Sequence, residues 1–353
     1  MKTNDTVLFI CNAPFQLLSA IHIRCHYFSD RPAAVLLTDA AKVLRSYAES
    51  PVLEEIFQQV HYAEIFSVIK TLPGYTNVEH FDDRVRSAVQ SQLPMIPCAD
   101  VFFANLHGWI GYYLQSLHAS STAPVGVHYY EDGMDSYIQK IEFSCGDICV
   151  ADMYVYDPTC IVAQDGTPLT VYAIPAPQAL PAQLQDAVKR LFGFDCVEAH
   201  LKKFIFFEQH SDSKDDYPAM DQLFYFVHTH CHGQAVLKSH PRRRYHPPEL
   251  DPFRWETNIP WEVIAANLSL NDHVLVSVSS KAVFSMTSVS SSRPAVILLH
   301  HLIQNMTGKP LQWWHMDDDY VEIWRKKYGA NRVFIPETFD DLQAIIQNLN
   351  SIL

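Results

Sequence analysis

The chain has 353 residues, of which 48% are hydrophobic and 18% charged, with a formal net charge of −13. That length holds two domains of roughly 100–200 residues each, and the composition excludes a disordered chain. The acidic balance excludes a general nucleic-acid binder, because phosphate backbones are held by clustered Lys and Arg.

The first apolar run, Val7–Cys11, reads as a buried strand. Asn12, Ala13 and Pro14 then turn the chain, with Asn suited to capping and Pro to a first helical turn. A helix is expected over 15–28, a strand over 33–38, a helix over 40–49, a strand over 101–105 and a helix over 109–117. The strand 125–130 ends at Glu131, Asp132 and Gly133. Segment 173–182 carries Pro175, Pro177 and Pro181 among small residues, and we place a domain boundary there, at 175/176. The rhythm then repeats, with a strand over 204–207 and a helix over 220–230 closed by Gly233. The strand 235–238 runs into Ser239, His240 and Pro241. The strand 274–278 runs into Ser279 and Ser280, with a helix opening over 282–287. Strands follow over 294–299 and 333–335, and a Thr338-x-x-Asp341 helix start precedes a last helix.

Strands alternating with helices define an α/β chain with parallel sheets. The expected architecture is of GT-B type, with two Rossmann-like domains, 1–175 and 176–353, facing a central cleft. There is no GxGxxG and no GxxxxGK[ST], and Gly accounts for only 11 residues. Dinucleotide enzymes and P-loop ATPases are therefore disfavoured. Eight Cys form no CxxC pair, no apolar run is long enough to span a membrane and no signal peptide is legible. These features read as a cytoplasmic chain with free thiols, compatible with peripheral membrane association.

Three polar motifs fall just past strand ends, where open α/β sheets bind ligands. Adjacent acids Glu131 and Asp132 point in different directions, and Gly133 permits a tight turn. One carboxylate is placed to act as a general base on an acceptor hydroxyl, the other to fix the loop. Lys238, His240 and the run Arg242, Arg243 and Arg244 offer donors to an anionic group, with Pro241 stiffening the backbone. Ser279 and Ser280 sit where hydroxyls and helix N-terminal N–H groups can hold a phosphate. Asn12 and Gln16, at the first strand-to-helix turn, are candidate substrate contacts, and Asn105 and His107 occupy a similar turn.

Acid-acid-Gly, then His-Pro, then paired Ser, in that order, resembles the motif set of the bacterial sialyltransferases. The opening run 11–18, CNAPFQLL, looks most like glycosyltransferase family 52, the lipooligosaccharide sialyltransferases. The polysialyltransferases share the same three motifs. The resemblance implies an inverting, metal-independent transfer of sialic acid from CMP-sialic acid to a glycan hydroxyl. It implies Glu131 as the base, His240 as the group assisting phosphate departure, and Ser279 and Ser280 as phosphate ligands, with Lys238 beside them. Many members carry Asp at the first acid position, and here it is Glu. No cofactor or metal is implied. The implied partners are CMP-sialic acid and a glycan acceptor, the latter lipid-linked at a membrane surface, and a homodimer is compatible with the sequence.

Other motifs are weighed down. His228, His230 and His232 diverge on a helix and do not converge on zinc. His300 and His301 read as structural or cleft-lining, and Asp317, Asp318 and Asp319 as a capping run. A transferase of another CMP-activated keto sugar (Kdo or legionaminic type) and a non-catalytic glycan- or nucleotide-binding protein remain as competing readings.

Overall fold

The computed structural model describes residues 5–72, 83–105, 107–138, 144–145, 148–162, 169–194, 201–211, 213–240, 242–243, 246–314 and 316–352. They form two compact units. The first holds 1–159 and 163–192, the second 160–162 and 193–353. The linker-like segment 173–182 therefore lies inside the first unit, which continues past the expected 175/176 boundary to Phe192. The reason is packing. The helix Ala182–Phe192 brings Phe192 edge-on to Tyr47, with ring centroids 5.1 Å apart, and Arg190 within 3.0 Å of Glu55.

The first unit contains strands β1 (Val7–Cys11), β2 (Ala33–Thr38), β3 (Gln59–Ala63), β4 (Asp100–Phe103), β5 (Gly126–Tyr130), a two-stranded hairpin of β6 (Ser144–Cys145) and β7 (Ile148–Cys149), and then β8 (Asp152–Val155) and β9 (Thr170–Ala173). Seven of them make one parallel sheet in the order β3-β2-β1-β4-β5-β8-β9. β1 and β2 are buried at every position, as their uninterrupted apolar sequences require of a sheet covered on both faces. Each large apolar side chain buried there contributes about 1.5–3 kcal/mol.

The second unit contains β10 (Phe204–Phe207), β11 (Ala235–Lys238), β12 (Arg254–Trp255), β13 (Val274–Ser277), β14 (Ala295–Leu298) and β15 (Val333–Phe334), all parallel, in the order β12-β11-β10-β13-β14-β15. Both units thus follow the Rossmann-like order in which the chain steps outward from its first strand and then returns to that strand's other side. Two such units in tandem are the composition of the GT-B class. The reversal of strand order falls between β1 and β4 in the first sheet and between β10 and β13 in the second.

Two expected helices differ. Segment 40–49 is helical only over Leu44–Ala48, after a turn over 40–43, and a separate helix, Pro51–Ile56, follows. Segment 282–287 spans two four-residue helices, Lys281–Phe284 and Met286–Val289. At the last helix, Phe339–Ile352, the expected reciprocal cap is present: the Asp341 N–H donates to Thr338 Oγ1 at 3.1 Å, and the Thr338 N–H donates to Asp341 Oδ2 at 3.1 Å. Among the described residues no helix is long and apolar enough to cross a membrane, and Cys11, Cys25, Cys98, Cys149 and Cys231 are free thiols.

Candidate active site

In the first unit, the residues following β1, β4 and β5 meet in one polar network at the carboxyl edge of the sheet. Pro14 opens the helix Pro14–Tyr27, whose N-cap is Ala13 without a side-chain cap. Asn12 is therefore not spent on capping. Its Nδ2 donates to Asn105 Oδ1 at 2.9 Å, and its Oδ1 accepts from Thr38 Oγ1 at 2.6 Å. Gln16 Oε1 accepts from the Asn12 N–H, while Gln16 Nε2 donates to Asn105 Oδ1 at 2.7 Å and to Asp132 Oδ1 at 2.6 Å. Asn105 Nδ2 donates to the other Asp132 oxygen. The network therefore ends on the Asp132 carboxylate, with neutral amides as its donors.

Its position matters. Asn12 follows β1 and Asn105 follows β4, so the network sits at the reversal of strand order, where sheets of this kind take ligands. Gly133, at φ +87°, makes the turn that a residue with a Cβ would strain to make. The turn is tied down by Ser136 Oγ, which accepts from the Asp132 N–H at 2.8 Å.

Glu131 lies on the other side of the same strand end. It is 4% exposed, and its Oε2 accepts from Tyr137 Oη at 2.5 Å and from the Tyr156 N–H, just past β8, at 2.7 Å. Glu131 thus ties the loop to the β8 side, while Asp132 faces the reversal of strand order. His107, the N-cap of the helix Gly108–Ser120, packs edge-on against Phe66.

In the second unit, the loop after β11 is held by Glu208, which follows β10. Glu208 Oε2 accepts from the His240 N–H at 2.9 Å. His240 Nδ1 accepts from the Arg242 N–H at 3.1 Å, which places the proton of the neutral ring on Nε2. Burial, with help from Arg242, His210 and Lys238, pushes His240 down to about 3, so the ring is neutral at physiological pH. His240 is thus a hydrogen-bond donor through Nε2–H. Its ring stacks on that of His210, with centroids 5.7 Å apart and planes at 17°. His210 lies three residues past β10, beside the reversal between β10 and β13. Motif reading missed it; its distance from a strand end was the available signal.

Ser279 follows β13 on the opposite side of that reversal. It is 2% exposed, and among the described residues its Oγ has no hydrogen-bond partner, which is rare for a buried hydroxyl. The Ser280 N–H donates to Ser277 Oγ at 2.6 Å, and Ser280 caps a helix of only four residues, so little helix dipole stands behind this turn. Lys238 ends β11 with its ammonium 5.6 Å from the Trp255 ring centroid. Burial pushes its pKa down to about 8, against the opposing pull of Glu262.

The basic run does not behave as one cluster. Arg243, expected to help hold anions, is buried. Its guanidinium donates to Glu208 Oε1 at 2.8 Å and, with both Nη atoms, to Asp221 at 2.8 and 2.9 Å, and it lies 4.3 Å over the Tyr217 ring. Two carboxylates consume its charge, and Arg242 is exposed beside it. Pro241 and Arg244 lie outside the described residues. His228 and His230 do diverge: the His228 ring packs on Phe253, while His230 hydrogen-bonds the Phe226 carbonyl at 2.8 Å.

No protein-family model matches the sequence, and no curated protein matches it. Among solved structures, the chain is similar to the glycotransferase of kitacinnamycin (TM-score 0.48, 11% identity, covering 100% of this chain and 92% of that one). It is also similar to LpCGTa in complex with UDP (0.44, 8%, 99% and 94%) and to UGT89C1 of Arabidopsis thaliana complexed with UDP (0.45, 9%, 98% and 94%). Likenesses this remote assign no activity to the chain.

Proposed function

We propose that the protein is an inverting, metal-independent sialyltransferase that moves sialic acid from CMP-sialic acid to a hydroxyl of a glycan acceptor. The observation that carries this reading is the chemistry at the two strand reversals. The first unit presents a carboxylate held by neutral amides, and the second presents, past the ends of β11 and β13, an imidazole N–H and a buried hydroxyl without a partner among the described residues. A carboxylate can take the acceptor proton as the glycosidic bond forms. Fixed neutral donors can receive the charge that develops on the departing CMP phosphate, typically the largest catalytic contribution. Together with the motif order that resembles family 52, these features support the transfer.

In this mechanism the acceptor oxygen attacks the anomeric carbon as its proton passes to the acid pair. The bond to the phosphate oxygen breaks with inversion, and CMP leaves as its anion. His240 Nε2–H and Ser279 Oγ–H donate to the leaving phosphate, with Ser280 and Lys238 adjoining them. Asn12 and Gln16 position the base through hydrogen bonds. The resemblance gives the base to Glu131. A specific observation favours Asp132: Glu131 Oε2 is committed to Tyr137 and the Tyr156 N–H, whereas Asp132 ends the network at the strand reversal.

The test is calorimetric titration of the purified protein with CMP in the presence of EDTA, on the wild type and on His240→Ala/Ser279→Ala. Binding that survives EDTA and weakens at least tenfold in the double variant is expected. A folded wild type that does not bind CMP overturns the reading.

A further inference from the structure

Beyond the transfer site, the second unit brings three metal-ligating side chains together at the start of two helices. His300 and His301 open the helix His300–Thr307 directly after β14, and Asp318 opens the helix Asp318–Tyr328. Their ligand atoms all lie within 4.8 Å of one another. Asp318 Oδ1 is 3.5 Å from His300 Nε2 and 3.1 Å from His301 Nε2. Ligands about 2.1 Å from one ion stand about 3.0 Å apart in cis octahedral geometry and about 3.4 Å apart in tetrahedral geometry, so both spacings suit a shared ion.

From the sequence these histidines are expected to be structural or cleft-lining, but a structural role leaves His300 poorly served. Its side chain is fully buried, and among the described residues Nδ1 has no hydrogen-bond partner while Nε2 has only the long 3.5 Å contact to Asp318 Oδ1. A buried imidazole in that state is uncommon and calls for an unseen partner. His301 and Asp318 are partly exposed, giving the ion a route in and leaving positions for water or an anionic oxygen. Asp317 caps the second helix by accepting from the Tyr320 N–H at 2.9 Å, which fixes the turn that carries Asp318.

We infer that His300, His301 and Asp318 form a binding site for a divalent transition-metal ion of the zinc class. Two imidazoles and one carboxylate suit Zn2+, Co2+ or Ni2+, and they do not suit Mg2+, which demands oxygen ligands. The ion ties the start of one helix to the start of the next. Because His300 Nδ1 lacks an acceptor, the affinity falls about 10–100-fold short of a site with full outer support. The inference is independent of the proposed transfer, which places no metal in its chemistry.

The test uses tag-free full-length protein, stripped with EDTA and exchanged into chelator-free buffer, then titrated with ZnCl2 by calorimetry and with CoCl2 by visible absorption. One equivalent of Zn2+ is expected, displaced by Co2+ and unaffected by excess MgCl2, with a rise in the melting temperature of the wild type. His301→Gln and Asp318→Asn, both at partly exposed positions, should each weaken binding at least tenfold while their metal-free melting temperatures match the wild type. The absence of saturable Zn2+ binding, or binding that is undiminished in both variants and so belongs to other histidines, overturns the inference.

Discussion

Replacing Arg243 separates the scaffold from the anion-binding part of the basic run. The side chain is 1% exposed and bridges Glu208 and Asp221, whose side chains are 1% and 12% exposed. Arg243→Met fills similar volume but leaves two carboxylates without their cation. Breaking a buried pair this way costs about 3–5 kcal/mol. At about 2–4 °C per kcal/mol for a unit of this size, the melting midpoint should fall by about 6–20 °C. Arg243→Lys should recover only part of the loss, since an ammonium cannot reproduce the fork that meets both Asp221 oxygens. Urea unfolding followed by tryptophan fluorescence is a suitable assay, because all the Trp residues except Trp109 lie in the second unit. If uncompensated charge causes the loss, adding Glu208→Gln and Asp221→Asn to Arg243→Met should restore part of it. Arg242→Ala, at an exposed position, should change stability by no more than about 0.5 kcal/mol. An Arg243→Met protein within about 1 kcal/mol of the wild type, but unable to bind CMP, would refute the scaffold assignment and make Arg243 an anion ligand.

Further predictions concern the acid pair, the buried lysine and the neutral imidazoles. Asp132→Asn should lower kcat by about 10²–10⁴ with little change in the melting temperature, whereas Glu131→Gln should chiefly lower the melting temperature; the opposite pattern in steady-state kinetics and melts returns the base to Glu131. Lys238 has a folded pKa of about 8 against an ordinary 10.5, so the unfolded chain holds more protons between those values and stability should rise with pH across that window, by up to about 3 kcal/mol. Lys238→Met should abolish that rise, and parallel urea curves for the two proteins at pH 7.5 and 9.5 would refute it. Burial holds His22 and His240 down at about 3, so the unfolded state takes up protons first, and stability should fall as pH drops from about 6.5 toward 3. Ring resonances of both residues that titrate near 6.5 in NMR spectra of the folded protein would contradict this.

What the sequence revealed depended on whether the determining contact was local. The strands 7–11, 33–38, 204–207 and 235–238 occur at the expected residues, because a short, largely apolar run bounded by polar or turn-forming residues is visible without knowledge of partners. β3 escaped notice because its sequence, QVHYA, is half-buried at a sheet edge and lacks such a run. The helix expected over 40–49 opens only at Leu44, after a turn over 40–43. At the site, the acids, His240 and Ser279 were legible as strand-end residues. Their environments were not: Arg243 meets partners 22 and 35 positions away, and Asp132 meets Gln16 across 116. No window on the sequence could show that the most basic stretch donates an Arg to the core, or that the second acid ends the amide network.

The second unit solves a problem that its sequence poses. An acidic chain with few glycines has neither a glycine-rich phosphate cradle nor a long helix N-terminus behind Ser279 and Ser280. A row of buried cations there would carry a desolvation cost, as the depressed pKa of Lys238 shows. In the proposed transfer neutral donors take that part. Glu208 receives the His240 N–H, and the Arg242 N–H fixes the His240 tautomer with the proton on Nε2. Ser279 keeps a buried hydroxyl with no partner among the described residues. Neutral donors that are already oriented need no reorganisation when charge appears on a departing phosphate, and that is where electrostatic preorganisation acts most strongly. Arg243 serves the same arrangement at one remove: by holding Glu208, it holds the backbone of His240. A weakened Glu208–Arg243 pair should therefore blunt CMP binding through the His240 loop even where the donors themselves remain intact.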